Sequence, residues 1–177
     1  MAMSLYELSS ETFAPMLRAL SDILDKGIEH AHAHGLGERE LPEARLAPDM
    51  YTLTQQVQLA CSNALEGVAR VTGRHEPQLP NDERTLDDLK RCIARTIEQL
   101  DATSRQSFEG ADARKIEFPF SDELEFAMTG AQFLRDWAIP HFYFHVVTAY
   151  DILRHRGVVI GKQDYLARVG VYIRRRR

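Results

Sequence analysis

Two histidines four residues apart are the sharpest chemical signal in the sequence. They bound the segment His141-Phe-Tyr-Phe-His145, so on a helix both imidazoles project from one face. Such a pair can bind one metal ion, as in zinc sites, where the nitrogens lie about 2.0–2.1 Å from the metal. The same pair can instead be two core imidazoles that hydrogen-bond to neighbouring groups, because buried polar rings need partners. The spacing alone leaves both interpretations open.

A catalytic metal would need a third protein ligand, and the second apolar segment, residues 50–71, contains no histidine to supply it. That segment does contain Gln56, at the edge of its apolar stripe. An amide oxygen suits hard ions better than zinc, and it is also a good hydrogen-bond partner for an imidazole. We predict that Gln56 meets His141 and His145 inside the protein, and that any divalent metal held there is bound weakly.

Other histidines and the cysteines are weaker candidates for a function. His30 and His34 share a face just before Gly35, where cationic side chains suit the end of a helix dipole, so we expect a solvated helix end. Cys61 and Cys92 fall within apolar helical patterns, which predicts two buried, reduced thiols and a cytoplasmic location.

Composition and charge narrow the class of protein. The chain has 177 residues, 44% of them apolar, which predicts a single globular domain. The net charge is −4, and it becomes more negative without the arginines at 174–177, so we expect no nucleic-acid partner. No apolar run approaches the roughly 20 residues that span a bilayer, and residues 1–10 lack the basic start of a signal peptide, so we expect no membrane partner.

Four segments with helical apolar spacing must position the candidate site. The first runs from Ser9 to Gly35, the second opens at Pro48-Asp49 and ends at Gly73, and the third covers residues 86–100. The fourth begins at Gly130, is broken or restarted at Pro140, and ends at Gly157. Between the third and fourth, alternating apolar residues at 116–120 and 124–128 predict a short, irregular β-hairpin, with Pro119 limiting the first strand to an edge.

These segments predict a mainly α fold: a four-helix bundle over residues 1–168, with a basic tail at 169–177. The last helix is apolar on nearly all its faces, more than a four-helix core can cover. We therefore predict a homodimer, with Phe133, Trp137 and Phe144 available for its interface.

Several longer motifs resemble a known family. Leu46-Ala-Pro-Asp-Met50, Gln56-Val-Gln58, Phe142-Tyr-Phe-His145 and Gly161-Lys-Gln-Asp-Tyr-Leu166 are similar to motifs of the bacterial family of unknown function DUF1993, and the resemblance extends from Leu5 to Leu166. The family belongs to the DinB-like superfamily of four-helix bundles, which includes metal-dependent enzymes such as thiol-dependent transferases and isomerases. The resemblance therefore implies the same bundle for this chain.

The resemblance also implies where a metal site would lie. Metal-binding relatives use one histidine on the second helix and an HxxxH pair on the last, and that pair corresponds to His141 and His145. The second-helix histidine has no counterpart here, since Gln56 or a neighbour stands in its place, and the family usually has asparagine where this chain has His141. Two hypotheses remain. The first is a non-catalytic bundle whose cluster of Gln56, His141 and His145 either fixes the packing or binds a small ligand. The second is a divalent-metal-dependent enzyme, either a thiol-linked transferase or a hydrolase.

Overall fold

The computed structural model describes residues 3–75 and 77–175. They form a mainly helical fold with one small antiparallel hairpin, as the sequence predicts. The helices and strands, in chain order, are α1 (Leu5–Leu8), α2 (Ser10–His34), α3 (Leu53–Thr72), α4 (Leu86–Asp101), β1 (Lys115–Pro119), β2 (Glu125–Thr129), α5 (Gly130–Phe133), α6 (Ile139–His155) and α7 (Lys162–Tyr165). Short 3-10 helices cover Arg105–Phe108, Ala111–Ala113 and Ala167–Tyr172.

The ends of α2 and α3 follow from local sequence chemistry. Gly35 and Gly73 end these helices in the left-handed conformation, with φ of 64° and 68°, as predicted. The predicted start of the second helix at Pro48-Asp49 is wrong, because α3 begins at Leu53. Thr52 caps it: its hydroxyl accepts the N–H of Gln55, and the Gln55 side chain returns to the Thr52 N–H.

The bundle is built around α3, which packs against α6 on one side and α4 on the other, while α2 closes the ring against α4 and α6. Each long helix turns an apolar stripe inward. Fully buried residues of the shared core include Phe13, Leu17, Leu20, Val57, Cys61, Leu89, Ile93, Phe133, Phe142 and Leu153. A Cβ on Gly67 of α3 would lie 3.2 Å from both Ala138 and the Phe13 ring, so this glycine permits the close approach of three segments.

The final helix is continuous rather than broken at Pro140. A π-helical turn, Leu134–Ala138, joins α5 to α6, and Pro140 is the second residue of α6. The wider π turn accommodates a proline ring that would clash with the carbonyl four residues earlier in a regular α-helix. Gly157 follows the helix with φ of 90°, which matches its predicted position.

The hairpin confirms the predicted alternation. Ile116 pairs with Met128 and Phe118 with Phe126, and Pro119 is the last residue of β1, where a missing N–H is tolerated. The rings of Phe118 and Phe126 lie 5.1 and 4.9 Å from the ring of Trp137, so the hairpin packs on the π turn. This contact brings aromatic side chains to the start of α6.

The C-terminal segment continues as the 3-10 helix Ala167–Tyr172, which spans the predicted boundary between residues 168 and 169. In the predicted basic tail, Arg174 and Arg175 are exposed, while Arg176 and Arg177 lie outside the described residues. Across residues 3–75 and 77–175, no helix combines the length and apolar character needed to cross a membrane.

Candidate functional site

The predicted contact between α3 and α6 is made by His145 and Gln56. Nδ1 of His145 lies 2.7 Å from Oε1 of Gln56, whose side chain is almost completely buried. A carbonyl oxygen can only accept, so the imidazole donates its Nδ1–H, and Nε2 keeps its lone pair. The contact therefore fixes both the orientation and the tautomer of His145.

The capping box of α3 determines which glutamine reaches the imidazole. Gln55 is turned back to the Thr52 backbone, which holds its amide outside the bundle. The next residue, Gln56, lies about 100° further round the helix and points into the α3–α6 interface. Its backbone N–H is bonded to the Thr52 carbonyl at 2.8 Å, so the first turn holds the amide in place.

His141 does not lie inside the bundle, and the prediction that both histidines do is wrong. The buried face of α6 is centred on Phe142, Val146, Ala149 and Leu153. His141 lies one residue, or about 100°, away from the line through these side chains, and it is exposed. One helical turn further on, His145 is half-buried at the flank of the same face.

Aromatic rings surround the two histidines. The His141 ring packs on Trp137 at 4.3 Å, and the Phe144 ring meets His145 edge-on at 5.4 Å. Together with Phe118 and Phe126, which contact Trp137, these rings extend from the hairpin to His141. We call Phe118, Phe126, Trp137 and His141 the aromatic wall. The sequence alternation predicted the hairpin but not that it packs beside the histidine pair.

Burial makes His145 difficult to protonate. Loss of hydration lowers its pKa to about 4, and repulsion from His141 contributes in the same direction. The imidazole is therefore neutral at neutral pH. Its Nε2 can accept a hydrogen bond or coordinate a metal ion, but it is a weak proton acceptor.

This pKa predicts an acid-sensitive fold. As pH falls from 6.5 towards 4, the unfolded chain gains a proton on His145 that the folded chain excludes, so the free energy of unfolding decreases. We expect His145→Ala to have a shallower decrease than the wild type in urea denaturation between these pH values. Val147→Ala, which truncates an exposed side chain without an ionisable group on the same helix, should retain the wild-type slope. Equal slopes for wild type and His145→Ala would contradict the prediction.

The geometry does not reproduce a three-ligand metal site. Oε1 of Gln56 is engaged by Nδ1 of His145, so Gln56 orients the imidazole rather than facing the same ion. His145 and His141 then offer two nitrogens. Within residues 3–75 and 77–175, no three His, Cys, Asp or Glu side chains come together in a way that could hold a metal ion.

The remaining candidate residues lie elsewhere. Nδ1 of His34 is 2.8 Å from the carbonyl of His30, and the two rings pack 4.1 Å apart at the end of α2. Cys61 and Cys92 are buried free thiols, as predicted. Its hydrogen bond with the Cys92 thiol, together with burial, raises the pKa of the Cys61 thiol, which favours an unreactive thiol.

Sequence reasoning missed one buried charge, Glu83 in the segment before α4. Its carboxylate accepts from Gln58 at 2.8 Å and from Arg95 at 3.0 Å. Its side chain is 1% exposed, although Arg95 remains half exposed. No periodic signal marks it, because the residue lies outside the helices.

Comparisons with known proteins agree with this fold. The sequence profile of the family "Domain of unknown function (DUF1993)" matches residues 5–166. A crystal structure of a DinB family member from Shewanella denitrificans is 40% identical in sequence, with a TM-score of 0.86, and the match covers 92% of this chain and 91% of that one. No curated protein matches this chain by sequence. The family match and the structural similarity show that this chain is a DinB-like helical protein and belongs to the DUF1993 family.

Proposed function

We propose that the protein is a non-catalytic bundle that binds a small ligand at His145 and the aromatic wall. The observation that carries this proposal is the bond between Nδ1 of His145 and Gln56, which leaves Nε2 as a fixed acceptor beside aromatic rings. A general base works best with a pKa near the operating pH, whereas that of His145 is about 4. These properties favour binding over proton transfer.

The chemistry of the site defines the class of ligand. A hydrogen-bond donor is needed to pair with Nε2, since a neutral imidazole with a protonated Nδ1 presents only a lone pair there. Planar apolar groups suit the Trp137 ring of the aromatic wall, because aromatic rings favour edge-on and offset contacts. A small aromatic molecule with an O–H or N–H group has both features.

Phenol is a simple probe of this proposal, and Trp137 is a built-in reporter because it is the only tryptophan in the chain. We expect phenol to change the Trp137 emission saturably in the wild type. His145→Ala should weaken binding about tenfold, since one hydrogen bond to a fixed acceptor is worth roughly 1.5 kcal/mol. His34→Ala, a histidine at the far end of α2, should bind as the wild type does.

Absence of a saturable response to phenol, or equal binding by His145→Ala, would contradict ligand binding at this site.

The alternative function is that of a divalent-metal-dependent enzyme. It has one favourable feature, because metal-bound histidines typically donate their second ring N–H to an oxygen, as His145 does to Gln56. A titration of Zn²⁺ into the wild type, His145→Ala and His34→Ala distinguishes the ligand-binding bundle from the metal-dependent enzyme. Tight, stoichiometric Zn²⁺ binding that is lost in His145→Ala would favour the enzyme, whereas our proposal predicts weak binding.

We also propose a homodimer formed through the outer face of α6. Phe144 is 59% and Val147 40% exposed there, whereas Trp137 is half-buried. Phe133 is fully buried and cannot serve the interface that the sequence suggested for it. For the wild type at tens of micromolar, we expect light scattering to give twice the chain mass of 20.2 kDa. The variant Phe144→Glu should give the mass of a single chain. A monomeric wild type would contradict the dimer.

We further propose a cytoplasmic location. Cys61 and Cys92 are free, buried thiols, and such thiols persist in a reducing compartment.

A further inference from the structure

A polar cleft lies on the bundle away from the aromatic wall. Three segments form it: the loop after α2, the first turns of α3, and the stretch before α4. Its volume is about 370 Å³, and its lining includes Arg39, Arg45, Gln55, Asn81 and Arg84. Guanidinium and amide groups therefore converge on one space from three parts of the chain.

The charges around this cleft leave two arginines uncompensated. Arg39 is paired with Glu43 at 2.6 Å. Both carboxylate oxygens of Glu83, the other acid in the lining, are engaged by Gln58 and Arg95. In the described part of the chain, neither Arg45 nor Arg84 has a carboxylate within 4.0 Å. The cleft is thus locally cationic in a chain with net charge −4.

The uncharged groups of the cleft also favour a ligand that accepts hydrogen bonds. Oε1 of Gln55 is used in the cap of α3, where it accepts from the Thr52 N–H at 3.0 Å, so its NH₂ group remains as a donor. The backbone N–H groups of Leu53 to Gln56 are already bonded. The start of α3 therefore adds only the positive field of its dipole, and the side chains supply the contacts.

We propose that this cleft binds a small oxyanion, a phosphate or carboxylate group, between Arg45 and Arg84. The planar fork of a guanidinium matches both groups and forms paired, charge-assisted hydrogen bonds with them. The Gln55 amide adds a neutral donor. This site is separate from the one at His145, and either can exist without the other.

The test is a titration of the full chain with inorganic phosphate and, in a separate arm, with acetate, followed by NMR at constant ionic strength. We expect saturable shifts of backbone amides in the loop after α2 and in the first turn of α3. Arg45→Gln/Arg84→Gln should weaken binding about tenfold or more, since charge-assisted hydrogen bonds are lost. The relative affinities of phosphate and acetate show which oxyanion the cleft prefers.

The matched control is Lys115→Gln/Arg135→Gln, which removes two exposed positive charges from β1 and the π turn. It should bind within about twofold of the wild type, because surface charges at a distance are screened by salt. All four substituted side chains are exposed, so both variants should fold, which circular dichroism checks. Equal weakening in the two variants, or no saturable shift with either anion, would overturn the proposal.

Discussion

Gly130→Ala should destabilise the protein by about 3 kcal/mol, the upper end of the usual range for overpacking, because the new methyl group has no space. A Cβ on Gly130 would clash with the carbonyl oxygen of Ala111, a backbone atom that cannot move aside alone. Gly130 is the first residue of α5, directly after β2, so relieving the clash would separate this junction from the 3-10 helix Ala111–Ala113. Urea denaturation of both proteins measures the loss.

The control for this substitution is Gly37→Ala. No atom lies within 4 Å of the Cβ that it would add, and its backbone does not have a positive φ. We expect its free energy of unfolding to remain within about 0.5 kcal/mol of the wild type. Equal stability of the two alanine variants would contradict the close packing of Gly130 against the Ala111 carbonyl.

Phe142→Ala should cost about 3–5 kcal/mol, the usual range for removing a buried phenylalanine ring. Phe142 has 0% exposure and packs against the Phe13 ring at 4.7 Å, so truncation leaves a cavity between α6 and α2. Domains of this kind are stable by only about 5–15 kcal/mol, so the variant should unfold at a much lower urea concentration.

Phe144→Ala provides the matched control, because it removes the same side chain two residues away on the same helix. Phe144 is 59% exposed, and its loss should change stability by about 0.5 kcal/mol in the monomer. A loss as large as that of Phe142→Ala would contradict the assignment of the buried face of α6.

The fold could be predicted because its signals are local and repeated. Apolar spacing located the long helices, the glycines after α2 and α3 marked their ends, and alternation revealed the hairpin. The start of α3 was also readable: Thr52 and Gln55 form a capping box with the usual spacing, a stronger signal than Pro48-Asp49.

The site was only partly predictable, because burial depends on the neighbours of a helix as well as on its own spacing. The contact of His145 with Gln56 could be predicted, because each residue lies beside the apolar stripe of its helix and the two helices pack together. Helical periodicity alone did not decide whether His141 is buried, because α6 is apolar on most of its faces. The face of α6 that is buried is set by its packing against α3 and α2. Glu83 had no signal, because its partners Gln58 and Arg95 come from two different helices.

The π-helical turn at Leu134–Ala138 affects how this chain aligns with its relatives. Such a turn accommodates one more residue than an α-helical turn, so the residues before and after it are out of phase by about 100°. A homologue with a regular helix should therefore need a one-residue gap here. Alignment without that gap would match His141 and His145 to the wrong residues. Deleting one residue from the turn would rotate α5 and the attached hairpin away from Trp137.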